Sequence, residues 1–128
     1  MANVLLVDND PTTVSLLKIL LELDGHAVSV CSQAGKVLET IGRESPDLVL
    51  MDVFLTGADG LDLLRSLRAD PNTADLPVLM TSGMELSEQC ERAGANGFLL
   101  KPYTPEQLAT AMKNCLDSRG HIAPEGGR

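Results

Sequence analysis

Five short apolar runs are spaced along the chain, and they limit its fold more than any other feature of the sequence. Each run is too short for a helix and is rich in Val and Leu, which is typical of buried strands. Near-continuous apolarity is typical of a parallel sheet that is covered on both faces. The runs are NVLLV (3–7), HAVSV (26–30), DLVLM (47–51), PVLMT (77–81) and GFLLK (97–101). We therefore predict a central parallel sheet.

The segments between these runs have the periodicity and the end signals of amphipathic helices. Five helices are predicted. The first follows Asp10 with Pro11 in its first turn, the second spans 33–43, and the third follows Asp59-Gly60. The fourth spans about 85–93 and ends at Gly94, and the fifth starts at a capping box on Thr104. Strand and helix then alternate along the whole chain. Such alternation favours right-handed crossovers and an α/β, doubly wound three-layer sandwich.

The length and composition suit one folded domain. The 128 residues are 44% hydrophobic, which is enough to bury a core without disulfides or metal ions. The last segment, SRGHIAPEGGR, has no periodicity. We predict a domain over residues 1–117 and, over 118–128, a disordered tail or the start of a linker.

Charge and cysteine content argue against several classes of function. A net charge of −8 repels nucleic acid and anionic lipid, so we expect no direct nucleic-acid binding and no membrane association. Neither a membrane-length apolar run nor a secretion signal is present. Cys31, Cys90 and Cys115 lack the spacing of a disulfide framework or a zinc site, so we expect buried, reduced thiols and a cytoplasmic protein.

Polar residues collect where the predicted strands end. Ligands of open α/β sheets bind beyond the carboxyl ends of the strands. Singly, each residue has an ordinary explanation, such as a helix cap, a solvated acid or a surface charge. Together, the carboxylates would repel one another unless a cation or a lysine held them, and an oxygen-only site suits Mg²⁺. The residues are Asp8, Asn9, Asp10, Asp52, Ser82 and Lys101.

Four blocks of the sequence resemble the receiver domain of two-component response regulators. They are VLLVDNDP, PDLVLMDVFLTGADG, PVLMTSG and AGANGFLLKPY, in order, within about residues 3–117. The resemblance implies a flavodoxin-like (βα)5 fold with sheet order 2-1-3-4-5. It also implies Mg²⁺-dependent phosphoryl transfer to the chain from the phosphohistidine of a histidine kinase or a histidine phosphotransfer protein. A conformational switch would then act on a downstream protein or a covalently linked output domain.

The resemblance also assigns roles to individual residues. Asp52 is the phosphoacceptor, Ser82 the switch hydroxyl, Lys101 the lysine that neutralises charge, Phe98 the rotating aromatic and Pro102 a cis proline. Such a chain is not an enzyme, since it catalyses only its own phosphorylation and dephosphorylation. The implied metal ligands are Asp8, Asn9, Asp52 and the backbone carbonyl of Phe54, and the residues implied to flank the approach of water are Phe54 and Met84.

The sequence departs from the family pattern at three places. Asn9 stands where an acidic residue is usual, so we expect weaker metal binding. Thr56 stands where proline is usual, which predicts a looser loop after Asp52. The segment from Ser82 to Lys101 is shorter than usual in the family, which predicts that the fourth helix or its flanking loop is shortened and that the output face is remodelled.

Two other functions remain open from the sequence. DNDPT also resembles the motif of haloacid-dehalogenase-type phosphatases, with Asp8 as nucleophile, Asp10 as acid/base, and Thr81 or Ser82 and Lys101 as later motifs. No acidic pair follows Lys101, however, and PDLVLMD would have no role in such an enzyme. The Asn9 change also fits a degenerate receiver that acts only as a docking module.

Overall fold

Strands and helices alternate in the computed structural model, which describes residues 2–120. The strands are β1 (Asn3–Val7), β2 (Ala27–Cys31), β3 (Leu48–Asp52), β4 (Phe54–Leu55), β5 (Ala58–Asp59), β6 (Val78–Ser82) and β7 (Gly97–Leu100). The helices are α1 (Pro11–Leu23), α2 (Val37–Glu44), α3 (Gly60–Ala69), α4 (Ser87–Ala93) and α5 (Pro105–Gly120), and a single 3-10 turn (Ala34–Lys36) precedes α2.

Five of the strands form one parallel sheet in the order β2-β1-β3-β6-β7. When only these five strands are numbered in chain order, the sheet order is 2-1-3-4-5, so the predicted flavodoxin-like topology is confirmed. The other two strands, β4 and β5, form a separate antiparallel ladder of two residues each. That ladder lies directly after β3 and was not predicted, because two residues are too few to show a hydrophobic period.

β1 has the predicted bounds, and most other element boundaries differ from the predicted ones by one to three residues. The helix predicted over 33–43 starts at Val37, because residues 34–36 form the 3-10 turn. The second strand starts at Ala27, and α4 starts at Ser87 rather than near 85. At the C-terminus, α5 continues to Gly120, so residues 118–120 of the predicted tail belong to this helix. Residues 121–128 of that tail lie outside the described part of the chain.

Two hydrophobic cores cover the two faces of the sheet. Alternate residues of β1 enter opposite cores: Leu5 packs with α2, α3 and α4, and Leu6 packs with α1 and α5. Both side chains are fully buried. This arrangement is the predicted three-layer sandwich, and it explains why the strand sequences are apolar without alternation.

The three cysteines are free and buried, as expected from their spacing. Burial raises the pKa of Cys115 to about 11, so this thiol stays protonated near neutral pH. Within residues 2–120, no helix has both the length and the apolar character needed to cross a membrane.

Candidate functional site

The segment after β1 brings two carboxylates to the carboxyl edge of the sheet. Asp8 is only 7% exposed, and its Oδ1 accepts the backbone N–H of Asp10 at 2.9 Å. Asp10 is the N-cap of α1, because its carboxylate accepts the hydroxyl of Thr13 at 2.6 Å and the N–H of Thr12 at 3.2 Å. These two hydrogen bonds lower the pKa of Asp10. The capping explanation of Asp10 is therefore confirmed.

Asp52, the last residue of β3, forms an ion pair with Lys101, which directly follows β7. Lys101 Nζ lies 2.7 Å from Asp52 Oδ2, and the N–H of Phe54 donates to Oδ1 at 3.0 Å. The Asp52 side chain is 12% exposed and that of Lys101 is 32% exposed. The ion pair is therefore partly shielded but open to solvent on one side.

Strand pairing makes Asp8 and Asp52 neighbours. Val7 is in register with Met51, so the next residue of each strand emerges at the same edge. Paired strands lie about 4.8 Å apart. The pKa of the Tyr103 phenol is raised, first by burial and then by the charges of Asp8 and Asp52. The phenol and both carboxylates therefore share one electrostatic environment.

Ser82 closes the other side of the site at the end of β6. It is fully buried, and its Oγ accepts the N–H of Met84 at 3.0 Å. Its carbonyl accepts the N–H of Lys101 at 2.9 Å, so the switch position and the lysine are joined through the backbone. The Lys101-Pro102 peptide bond is cis, as the sequence implied.

The residue that starts α3 must be glycine for this site to form. A Cβ on Gly60 would collide with the carbonyl oxygen of Asp52 and would lie 2.9 Å from the Cα of Val53. The N–H of Gly60 also donates to the carbonyl of Val53 at 2.7 Å. The close approach fixes α3 against the peptide that follows the acidic residue. Sequence reasoning used Gly60 only as a helix start and missed this contact.

Comparisons with known proteins agree with this geometry. The family profile of the response regulator receiver domain matches residues 4–113. The chain belongs to this family. Protein PilH of Pseudomonas aeruginosa is 35% identical over 91% of this chain and 98% of its own length. The crystal structure of a proposed response regulator from Chloroflexus aurantiacus superposes with a TM-score of 0.86 at 34% identity, over 91% of this chain and 98% of that one.

Some relatives of this receiver domain are much longer than the chain. The DNA-binding response regulator MtrA of Mycolicibacterium smegmatis is 32% identical over 86% of this chain, but the match covers only 48% of MtrA. The chain thus spans nearly all of PilH and about half of MtrA. Some relatives in this family therefore have about the length of the receiver domain alone, and others carry additional sequence beside it.

Phe54 and Met84 form the rim of the receiver site. They are 60% and 58% exposed, respectively. Each follows a site residue by two positions and donates its backbone N–H to that residue's side chain, Phe54 to Asp52 and Met84 to Ser82. The two apolar side chains therefore stand exposed beside the site, and their implied role in limiting the approach of water stays a prediction.

Asn9 makes contacts that sequence reasoning missed. Its Oδ1 accepts the N–H of Thr56 at 2.5 Å, and its Nδ2 donates to the carbonyl of Ser32 at 2.6 Å. Both ends of the carboxamide thus have protein partners. Its predicted place among the metal ligands stays a prediction.

Phe98 lies on β7 and is partly buried against the core on the α2, α3 and α4 side. It lines a cavity of about 260 Å³ together with Cys90 and Ala95. The predicted rotating aromatic therefore has open space beside it.

The acidic pocket suits a magnesium ion with few protein ligands. Within residues 2–120, no cluster of three or more His, Cys, Asp or Glu side chains could hold a metal ion. The carboxylates of Asp8 and Asp52 follow paired strand positions at this edge, and Mg²⁺ usually keeps several waters beside one or two carboxylates. The carbonyl of Phe54 as a further ligand stays a prediction. The donor set therefore fits Mg²⁺ and does not resemble a zinc site.

Proposed function

We propose that this receiver domain is a phosphoacceptor module that takes a phosphoryl group from the phosphohistidine of a histidine kinase or histidine phosphotransfer protein onto Asp52. The observation that carries the proposal is the pairing of this strand-end carboxylate with Lys101 at 2.7 Å, on a face open to solvent. An Asp52 oxygen would form the new P–O bond while the P–N bond of the donor breaks. The electron pair of that bond returns to the imidazole nitrogen.

The chain's own residues would position and stabilise the reacting groups. The N–H of Phe54 holds one carboxylate oxygen in place, and the ammonium of Lys101 can neutralise charge on the transferring oxygens. Mg²⁺ held by Asp8, Asp52 and the Phe54 carbonyl, with Asn9 as a further candidate ligand, would supply additional positive charge for those oxygens.

Ser82 and Phe98 would convert the modification into a conformational change. In its contact with Met84 the Ser82 oxygen is the acceptor, so its proton is available for a phosphoryl oxygen. A hydrogen bond there would draw the segment after β6 toward Asp52. The cavity beside Phe98 gives this ring space to turn inward as the segment moves.

The surface beside the site supports a protein as phosphodonor. A groove of about 480 Å³ runs from Lys101 along α1 and is lined by apolar groups that include Leu16, Pro102 and Tyr103. Leu16 is 57% exposed. An apolar groove next to a buried carboxylate suits a helix of a partner better than a small anion. The net charge of −8 does not suit nucleic acid or a membrane as partner.

Other parts of the proposal follow from the same chemistry. The chain would not be an enzyme in the usual sense, because its only substrate is its own Asp52. The downstream partner would be another protein or a covalently linked output domain. The buried free thiols and the acidic surface suit the reducing cytoplasm.

The phosphatase alternative is less well supported. It needs Asp10 as acid/base, but the carboxylate of Asp10 is occupied by Thr12 and Thr13 at the start of α1. The docking-module alternative differs from the proposal only in predicting that Asp52 is never phosphorylated.

Mass spectrometry after incubation with acetyl phosphate and Mg²⁺ tests the proposal. The wild-type chain should gain one phosphoryl group, and Asp52→Asn should gain none. Labelling of Asp52→Asn together with no labelling of Asp8→Asn would instead favour the phosphatase. A folded wild type that stays unlabelled, also with phosphoramidate as donor, would favour the docking module.

A further inference from the structure

The loop that follows Asp52 is attached to the rest of the protein by few hydrogen bonds. Residues 54–59 pair with one another as β4 and β5, and Leu55 packs into the core. Side chains outside the loop hold its backbone at the N–H of Phe54, which donates to Asp52, and at the N–H of Thr56, which donates to Asn9. Gly57, at the turn of the loop, has a φ of 75° and no other group within 4 Å of where a Cβ would be. Between the buried Leu55 and β5, the N–H of Thr56 is therefore the point at which a side chain from outside the loop holds its backbone.

The Asn9 carboxamide joins three segments. Its Oδ1 holds the loop at Thr56, and its Nδ2 holds the carbonyl of Ser32, the residue after β2. We call this pair of hydrogen bonds the Asn9 bridge. A carboxylate at position 9 could accept from Thr56 but could not donate to Ser32, so the complete bridge requires an amide.

The bridge also requires an N–H group at position 56. Proline, which is usual there in the family, has none. The two departures from the family pattern, Asn9 and Thr56, therefore meet in one hydrogen bond of 2.5 Å. A looser loop was expected from the loss of proline, but the bridge supplies a different restraint at the same position.

We propose that Asn9 is a positioning residue: the Asn9 bridge fixes the loop after Asp52 and thereby the backbone of Phe54, which contacts the phosphoacceptor. The effect of the Asn9 bridge on phosphoryl transfer rests on the proposed function. The existence of the bridge does not. The positioning role differs from a ligand role, in which Asn9 would act on Mg²⁺ and Thr56 would not matter.

Amide hydrogen exchange of the metal-free protein tests the bridge without any phosphorylation. Asn9→Ala and Thr56→Pro should each speed exchange of the Phe54 N–H by about tenfold, which corresponds to about 1.4 kcal/mol. The double variant should exchange no faster than either single variant, because both changes remove the same restraint. Thr56→Val keeps the N–H and serves as the matched control, with exchange equal to wild type.

Unchanged exchange of the Phe54 N–H in both single variants would overturn the proposal. A double variant whose exchange rate rises by the product of the two single-variant factors would overturn it as well. Because these measurements need neither metal nor phosphodonor, they remain decisive even if the wild-type chain proves not to be phosphorylated. Failure of the proposed function and failure of the bridge are thus distinguishable.

Kinetics then separate positioning from metal ligation. At saturating Mg²⁺, both single variants should be phosphorylated by acetyl phosphate several-fold more slowly than wild type, and Thr56→Val should not. A ligand role predicts weakened Mg²⁺ affinity in Asn9→Ala, a normal rate at saturating Mg²⁺ and no effect of Thr56→Pro. That second pattern would contradict the positioning role.

Discussion

The side chains of Phe54 and Met84 are exposed beside the site that holds Asp52. Their backbone N–H groups point to Asp52 and Ser82, which leaves the side chains on the outside of the site. Neither side chain can orient a water molecule by hydrogen bonding. We therefore expect the two side chains together to hinder the approach of water to a phosphoryl group on Asp52.

We expect this rim to slow the hydrolysis of phosphorylated Asp52. Phe54→Asn and Met84→Glu should each speed loss of the phosphoryl group by about tenfold, equivalent to about 1.4 kcal/mol of barrier, because a polar side chain there can position the attacking water. Dephosphorylation of the purified protein, followed over time, measures the effect. Leu38→Asn, which changes an exposed apolar residue of α2, serves as control. Equal rates in wild type and both rim variants would show that the rim does not limit hydrolysis.

At the scale of elements, the two ends of α4 are held by different hydrogen bonds. Its C-terminal end is fixed by Arg68 of α3, whose guanidinium donates to the carbonyls of Gly94, Thr73 and Ala74 and to Oδ1 of Asn96. At its N-terminal end, the residue Leu86 supplies no side-chain cap, but the exposed carboxylate of Glu85 accepts the N–H of Ser87 at 2.8 Å. Because this exposed contact is easier to break than the part-buried hydrogen bonds of Arg68, movement of this short helix after a change at Ser82 should start at the N-terminal end, near Ser87.

Arg68 should stabilise the fold far more than a surface arginine of the same helix. Arg68→Met should lower the free energy of unfolding by about 2–4 kcal/mol, because it leaves backbone carbonyls without donors in a half-buried place. Arg65→Met removes an exposed ion pair with Asp62 and should cost less than about 0.5 kcal/mol. Urea unfolding of the two variants gives the comparison. A similar loss in both would mean that the Arg68 hydrogen bonds contribute little.

The hydrophobic pattern predicted most of these elements, because strands buried on both faces read as short apolar runs and the helices show an apolar stripe of helical period. The carboxyl-edge rule likewise predicted that Asp52 and Lys101 would meet. The contacts of Arg68 and Asn9 could not be predicted in the same way. Their partners are mostly backbone groups, which every residue carries, so no residue type marks the position. The two-residue strands β4 and β5 have no period at all.

At the scale of the whole molecule, the cysteines report on global unfolding. Cys90 and Cys115 have no exposed surface and lie in the cores on opposite faces of the sheet. A thiol reagent can reach them only when the corresponding core opens.

We expect both thiols to react with a disulfide reagent at one common rate set by unfolding, since the two cores share a single sheet. In denaturant, reaction should be immediate. Peptide mapping after timed quenching measures each site, and Ser66→Cys on the exposed face of α3 provides a rapidly reacting control. Faster reaction of Cys90 than of Cys115 would show instead that the α4 side opens independently.

The position of β1 between β2 and β3 has a consequence for biosynthesis. A ribosome releases the chain from its N-terminus, so β1, β2 and β3 are available while β7 is still unmade. Their pairing brings Asp8 and Asp52 side by side, whereas Lys101 follows Asp52 by 49 positions. Until β7 is made, the chain carries both carboxylates but not Lys101. The strand that completes the edge of the sheet is therefore followed directly by the lysine that neutralises Asp52, so the last part of the sheet and the charge balance of the site depend on the same late segment.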